Sequence, residues 1–241
     1  MSKNGKSWQR KSLPRRTDET ARILRGRYKD FAHYNRRNPF EELLFILCSV
    51  QTDEKKYRET FASLRRKFPR FEGLGRASAG AIAKPLKPGG LSPSKSVMIR
   101  KICAELKRRF GEVTLAPLRR MADQECEALL TSLPGIGTKV ARCVMMYSLG
   151  RQVFPVDTHC WRICRRLGWV RGTRDGVCTE ADMDRLQGKI SPRWRFSLHV
   201  NMISLGREVC RSSKPLCELC SLRKVCRRSR PAGLRKDRRA G

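Results

Sequence analysis

Four cysteines, Cys210, Cys217, Cys220 and Cys226, fall within seventeen residues in the spacing Cys-x6-Cys-x2-Cys-x5-Cys. Four thiols packed this densely into a chain with no apolar leader point to a shared metal rather than to disulfides. Geometry alone leaves the metal open, since zinc and an iron–sulfur centre both accept four thiolates. Either choice forces the segment to close around one point. Its expected role is structural, a clamp that orders a short basic loop of the larger scaffold. The other seven cysteines, Cys48, Cys103, Cys126, Cys143, Cys160, Cys164 and Cys178, are scattered. Most of them lie in apolar helical patterns and read as small core residues of a reducing compartment.

The scaffold has 241 residues, enough for one large domain or two small ones. Lys and Arg number 54 against 22 Asp and Glu, a formal charge of +32. So much uncompensated charge repels itself on folding and suits a polyanionic partner, of which nucleic acid is the commonest. Membrane is disfavoured as that partner, because no apolar run approaches the roughly 20 residues that span a bilayer. No apolar stretch of the kind found in a secretory signal follows the start.

Residues 1–17 and 227–241 are polar and basic and are expected to be disordered arms. Between them the pattern is helical nearly throughout, and the expected fold class is all-α. Pro39 suits a helix start before Glu41–Leu47. Residues 53–68 and 94–110 carry apolar positions three and four apart, such as Val97, Ile99, Ile102 and Leu106. Gly89 and Gly90 with Pro93 punctuate the approach to the second of these.

Residues 122–150 read as helix, tight turn, helix, with the turn at Leu133-Pro134-Gly135-Ile136-Gly137. Two glycines two apart spare the backbone a Cβ clash. They also turn amide groups outward beside a helix N-terminus, which suits a phosphate. Such turns also occur in ordinary helical hairpins, and it is the net charge that favours the phosphate reading. Lys139 sits in the first turn of the second helix, where the helix dipole disfavours an ammonium, and is a candidate amine nucleophile. Asp157 follows the apolar Phe154-Pro155-Val156 and precedes a helical run, so it is expected to be an N-cap.

Leu133–Ala141, Val156-Asp157-Thr158-His159 and the cysteine spacing together resemble the endonuclease III family of helix-hairpin-helix DNA glycosylases. The resemblance spans about residues 38 to 226 and is strongest from 133 onward. It implies two helical domains with a DNA-binding cleft between them. One is a six-helix barrel (38–151) that ends in the hairpin. The other combines an N-terminal helix (18–37) with a loop and iron–sulfur region (152–226). It implies a [4Fe–4S] cluster on Cys210, Cys217, Cys220 and Cys226. Lys139 then attacks the sugar C1′ of a flipped nucleotide and cleaves the strand by β-elimination, while Asp157 stabilises positive charge at the sugar. The resemblance further implies that Gln51 and Leu91 fill the gap left by the flipped nucleotide. His159 approaches the DNA backbone, Gly135 and Gly137 form the phosphate-binding turn, and Arg211 and Lys214 reach phosphate.

Adenine-mismatch relatives of this family carry Glu where Ile46 stands, and thymine-mismatch relatives carry Tyr where Lys139 stands. Lys139 thus favours a bifunctional enzyme. The expected substrate is an oxidised pyrimidine in double-stranded DNA, or an abasic site. Ser92-Pro93 departs from endonuclease III, which has a bulkier aromatic after the wedge leucine. The segments Phe154–Thr158, Arg166–Val170 and Met202–Gly206 look like the plant 5-methylcytosine glycosylases, so another modified or mismatched pyrimidine is the alternative substrate. A non-catalytic, cluster-bearing DNA-binding protein is the alternative class. The expected state is a monomer, in the cytoplasm if prokaryotic and in the nucleus or an organelle if eukaryotic.

Overall fold

A computed structural model describes residues 12–170, 177–226 and 228. Eleven α-helices and three short 3-10 turns occur among them, and no strand. No helix of the described residues is long and apolar enough to cross a membrane. The chain divides into two compact units. One runs to His33 and resumes at Gln152, and the other is Tyr34–Arg151.

The first unit begins with α1 (Leu13–Tyr28). This corrects the expectation of a disordered arm through residue 17. Pro14 starts the helix, the Thr17 hydroxyl donates to the Pro14 carbonyl at 2.7 Å, and Thr17 is itself buried. Residues 1–11 lie outside the described residues, as does all of the expected basic tail 227–241 except Arg228. Among the described residues three more helices belong to the unit: α9 (Thr158–Leu167), α10 (Glu180–Lys189) and α11 (Pro192–Glu208). Both α1 and α9 pack on α11. The core joins Ala21 and Leu24 of α1 to Cys160, Cys164 and Leu167 of α9 and to Leu198, Met202 and Leu205 of α11.

A polar knot fixes how α1 ends. The Asp30 carboxylate accepts from the Ser197 hydroxyl at 2.6 Å and the Asn201 amide at 2.7 Å, while the Asn201 carbonyl oxygen accepts the Asp30 N–H at 3.1 Å. Asn201 is wholly buried, so these bonds offset what its desolvation would otherwise cost.

The second unit contains α2 (Pro39–Ser49), α3 (Glu54–Lys67), α4 (Phe71–Arg76), α5 (Ala79–Leu86), α6 (Ser92–Phe110), α7 (Asp123–Thr131) and α8 (Thr138–Leu149). That makes seven α-helices rather than six, of which α4 is the shortest. The unit starts at Tyr34, not at residue 38. The Arg58 guanidinium lies 3.8 Å from the centre of the Tyr34 ring, and Asn35 and the Arg36 amide both donate to Glu42. Helix α2 is the axis of the unit: residues 43–48 are all buried, and α3, α6 and α8 pack around it. The Asn38 side chain caps it, accepting from the amides of Phe40 and Glu41.

Glu42 stands in the first turn of this buried helix with no exposed surface. Burial pushes its carboxyl up to about 7, against the opposing pull of the Arg36 amide, the Asn35 side chain and the charges of Arg36 and Lys139. The folded value lies above the unfolded one, so the folded state binds more protons. The contribution is therefore fully present below the ordinary carboxyl pKa of 4.5 and is lost as pH rises through about 7. Over roughly pH 5 to 8 the wild type should lose about 3 kcal/mol of unfolding free energy that Glu42→Gln does not lose. Urea melts across that range test this. Parallel curves would mean that Glu42 titrates as an exposed carboxyl does.

Candidate functional site

Helices α7 and α8 are joined by the turn 132–137. Leu133 and Ile136 anchor it in the core, and the Ile136 N–H donates to the Leu133 carbonyl at 3.1 Å. Its two glycines differ in kind. Gly135 has φ +75, a conformation that L side chains avoid, and a Cβ there would sit 2.7 Å from the Met98 Cε. Gly137 has an extended φ of −97 with open space around it, so steric need does not explain it, contrary to the sequence expectation. Its effect is different: as the N-cap it offers no side chain, and the N-terminus of α8 has no side-chain cap. An uncapped helix start presents partial positive charge to whatever anion approaches.

Lys139 occupies the first turn of α8 and is half-buried. One turn on, the buried Arg142 forms a two-pronged pair with Glu127 of α7, at 2.9 Å for both bonds, which locks the hairpin arms together.

Gln51 and Leu91 also belong to this unit. Both are exposed, and both hold left-handed backbone, φ +55 and +52, rare for non-glycine residues. Their loops are joined: the Thr52 hydroxyl between them donates to the Gly89 carbonyl at 2.6 Å.

Asp157 belongs to the other unit. It is the N-cap of α9, as expected, with its Oδ1 accepting the Cys160 N–H at 2.7 Å. The segment leading to it, Val153–Val156, is buried. The Phe154 amide donates to the Gln187 side chain, and His199 Nδ1 lies 3.0 Å from the Pro155 carbonyl.

His159 is half-buried two residues further on. Burial pushes its pKa below the usual histidine value. Arg162 lies 2.9 Å from His159 Nδ1, which makes that nitrogen the acceptor and the ring neutral. Gly206 of α11 faces it, where a Cβ would fall 2.5 Å from Nδ1 and 2.9 Å from Cγ. Gly206 thus sets the approach of α9 to α11, a role its place in the sequence does not reveal.

The cysteine loop docks on α9. Arg162 donates to the Cys210 carbonyl at 2.8 Å, and Arg166 to the Cys210 sulfur at 3.1 Å and the Arg211 carbonyl at 2.7 Å. Leu222 and Val225 sink into the core beneath the loop. Burial pushes the Cys220 thiol up to about 11, and the neighbouring Cys210, Cys226 and Cys217 push the same way. Cys220 thus has the other three loop cysteines as its electrostatic neighbours. Among the described residues, no group of three His, Cys, Asp or Glu side chains is arranged to hold a metal ion. Arg211 and Lys214 are exposed in the first inter-cysteine loop, Lys214 with φ +46.

Residues 45–187 match the HhH-GPD superfamily of base excision DNA repair proteins. A putative DNA glycosylase of Arabidopsis thaliana is 34% identical over 172 residues, 71% of this chain and 57% of that protein. DEMETER, a transcriptional activator of the same plant, is 28% identical over 171 residues, 65% of this chain but 9% of that protein. Endonuclease III of Synechocystis is 30% identical over 193 residues, 79% of this chain and 81% of the enzyme. A solved structure of a non-covalent endonuclease III–DNA complex superimposes with a TM-score of 0.76 at 25% identity, covering 90% of this chain and 96% of that one. The chain therefore belongs to the HhH-GPD superfamily of base excision DNA repair proteins, and within it to the endonuclease III family.

The contrast between the glycines is measurable. Gly135→Ala should cost about 1–2 kcal/mol, mostly through its φ, because the Met98 terminus can swing aside. Gly137→Ala should cost under about 1 kcal/mol. Gly206→Ala meets the body of a ring rather than a flexible end and should cost about 1–3 kcal/mol. Urea midpoints for the three variants check the order.

Proposed function

We propose that this protein is a bifunctional DNA glycosylase and abasic-site lyase of base excision repair, acting on oxidised pyrimidines in duplex DNA. The observation that carries the reading is Lys139, half-buried in the first turn of a helix with no side-chain cap, behind the left-handed Gly135. In this reading the Gly135–Gly137 turn and the start of α8 take a backbone phosphate, and Arg211 and Lys214 take others. His159, neutral, lies along the same strand. The target nucleotide leaves the stack, and Gln51 and Leu91 occupy its place.

The neutral amine of Lys139 then attacks C1′. The bond to the base breaks, and the base departs with the bonding pair and takes up a proton. Ring opening leaves a Schiff base between Nζ and C1′. Loss of a C2′ proton breaks the C3′–O bond and nicks the strand, and water releases the lysine. Asp157 supplies negative charge for the cationic sugar while its cap bond to Cys160 holds it in one orientation.

A [4Fe–4S] cluster on Cys210, Cys217, Cys220 and Cys226 belongs to the same reading. Its support is the Cys-x6-Cys-x2-Cys-x5-Cys spacing and the resemblance to endonuclease III. Its role is to order the Arg211–Lys214 loop, and it takes no part in the bond changes. Purified protein should contain about four irons per chain. One zinc and no iron would reject the assignment.

Borohydride should trap the wild type covalently on a duplex containing an oxidised pyrimidine. Lys139→Gln should abolish trapping and nicking while keeping DNA affinity, since the turn is untouched. Asp157→Asn keeps the cap oxygen and the fold, yet turnover should fall by about 10² or more. Nicking by Lys139→Gln at the wild-type rate would assign the chemistry to another amine. The segments Phe154–Thr158, Arg166–Val170 and Met202–Gly206, which resemble the plant 5-methylcytosine glycosylases, support 5-methylcytosine as the second substrate. Faster excision of that base than of oxidised pyrimidines would replace the first.

A further inference from the structure

Lys95 is one of 54 basic residues but is only 5% exposed. Its ammonium donates to the Cys48 carbonyl at 3.3 Å, the Val50 carbonyl at 3.0 Å and the Thr52 hydroxyl at 3.4 Å. None of these acceptors is a carboxylate. A buried cation without a counter-ion is costly, and burial pushes this one below the ordinary lysine pKa. The site tolerates it because the C-terminal end of α2 aims unsatisfied carbonyl dipoles at it.

The same residue grips the other loop through its main chain. The Lys95 N–H donates to the Leu91 carbonyl at 3.0 Å. One residue thus holds the carbonyl that precedes Gln51 and the carbonyl of Leu91, and the Thr52–Gly89 bond closes the bridge. On either side stand two exposed side chains on left-handed backbone. That conformation is unfavourable for Gln and Leu and persists only where the surroundings impose it.

We propose that Lys95 is a positioning residue that ties the Gln51 and Leu91 loops into one rigid, two-pronged element and so sets the reach of both side chains into a distorted duplex. The inference rests on the glycosylase reading for its use, but the bridge can be tested without it. Lys95 is too deeply buried, and its protons too fully engaged, to act as the attacking amine itself.

Lys95→Met keeps the length of the side chain and removes the donors. Amide hydrogen exchange over residues 49–53 and 89–92 should accelerate by at least about tenfold, the loss expected for hydrogen bonds from a charged donor, while the rest of the unit exchanges as before. A duplex with 2-aminopurine opposite an abasic analogue should lose its fluorescence response to the variant, although affinity for undamaged duplex is unchanged. Lys95→Arg should restore part of both signals. Acceleration in only one segment, or in neither, overturns the proposal, as does a fluorescence response that survives acceleration in both. If Lys95→Met does not fold, Thr52→Val removes the hydroxyl link alone. It must then accelerate both segments, and if it does not the proposal fails. Absence of a fluorescence response in the wild type would count against the glycosylase reading, and the exchange data would still decide the role of Lys95.

Discussion

The Asp30 carboxylate connects chain segments separated by the whole of the 34–151 unit. One end of the first unit is made before that excursion and the rest after it. Helix α1 is densely basic, and it has little intrinsic reason to stay. What retains it is burial of Thr17, Thr20, Ala21 and Leu24 on α11 and the polar knot of Asp30 with Ser197 and Asn201. The floor under α9 depends on the same helix, since Ala21 and Leu24 share a core with Cys160 and Cys164. The orientation of Asp157 thus traces back to contacts made by α1, far from it in sequence.

The two units solve the same problem differently. In the first, arginines on α9 reach across and hold carbonyls of an irregular loop. Arg162 and Arg166 supply the hydrogen bonds that 210–212 cannot make as regular structure. In the second, a buried lysine does this for the end of α2. The high content of Lys and Arg is therefore not wholly a field for a polyanion. Part of it is internal, satisfying main-chain oxygen where helices stop.

Much of this was legible in the residues. Pro39 at a helix start, Asp157 after an apolar run and the helix-turn-helix at 122–150 act through local rules, and the helices start and stop close to where those rules put them. Residues whose meaning depends on distant neighbours were not legible. Glu42 reads as an ordinary acid in a helix first turn and turns out to be wholly buried. Lys95 has no local feature that separates it from the other basic residues. Gly135 and Gly137 look alike on paper, and only the folded turn shows that one needs its φ and the other its bareness. Leu13–Thr17 read as an arm because charge dominates their composition, while the two or three side chains that pack decide the outcome.

The cysteines divide into two chemical populations. Cys48, Cys103, Cys126, Cys143, Cys160 and Cys164 are buried, and burial holds the thiols of Cys48 and Cys103 up at about 12 and those of Cys126, Cys160 and Cys164 above their ordinary range. Such sulfur carries almost no thiolate near neutrality and is nearly inert to electrophiles. The loop cysteines and Cys178 are part-exposed. Alkylation of the native protein therefore reports on Cys178 and on whichever loop cysteines hold no metal, against a silent interior, and a chain rich in cysteine behaves toward oxidants as though it possessed few.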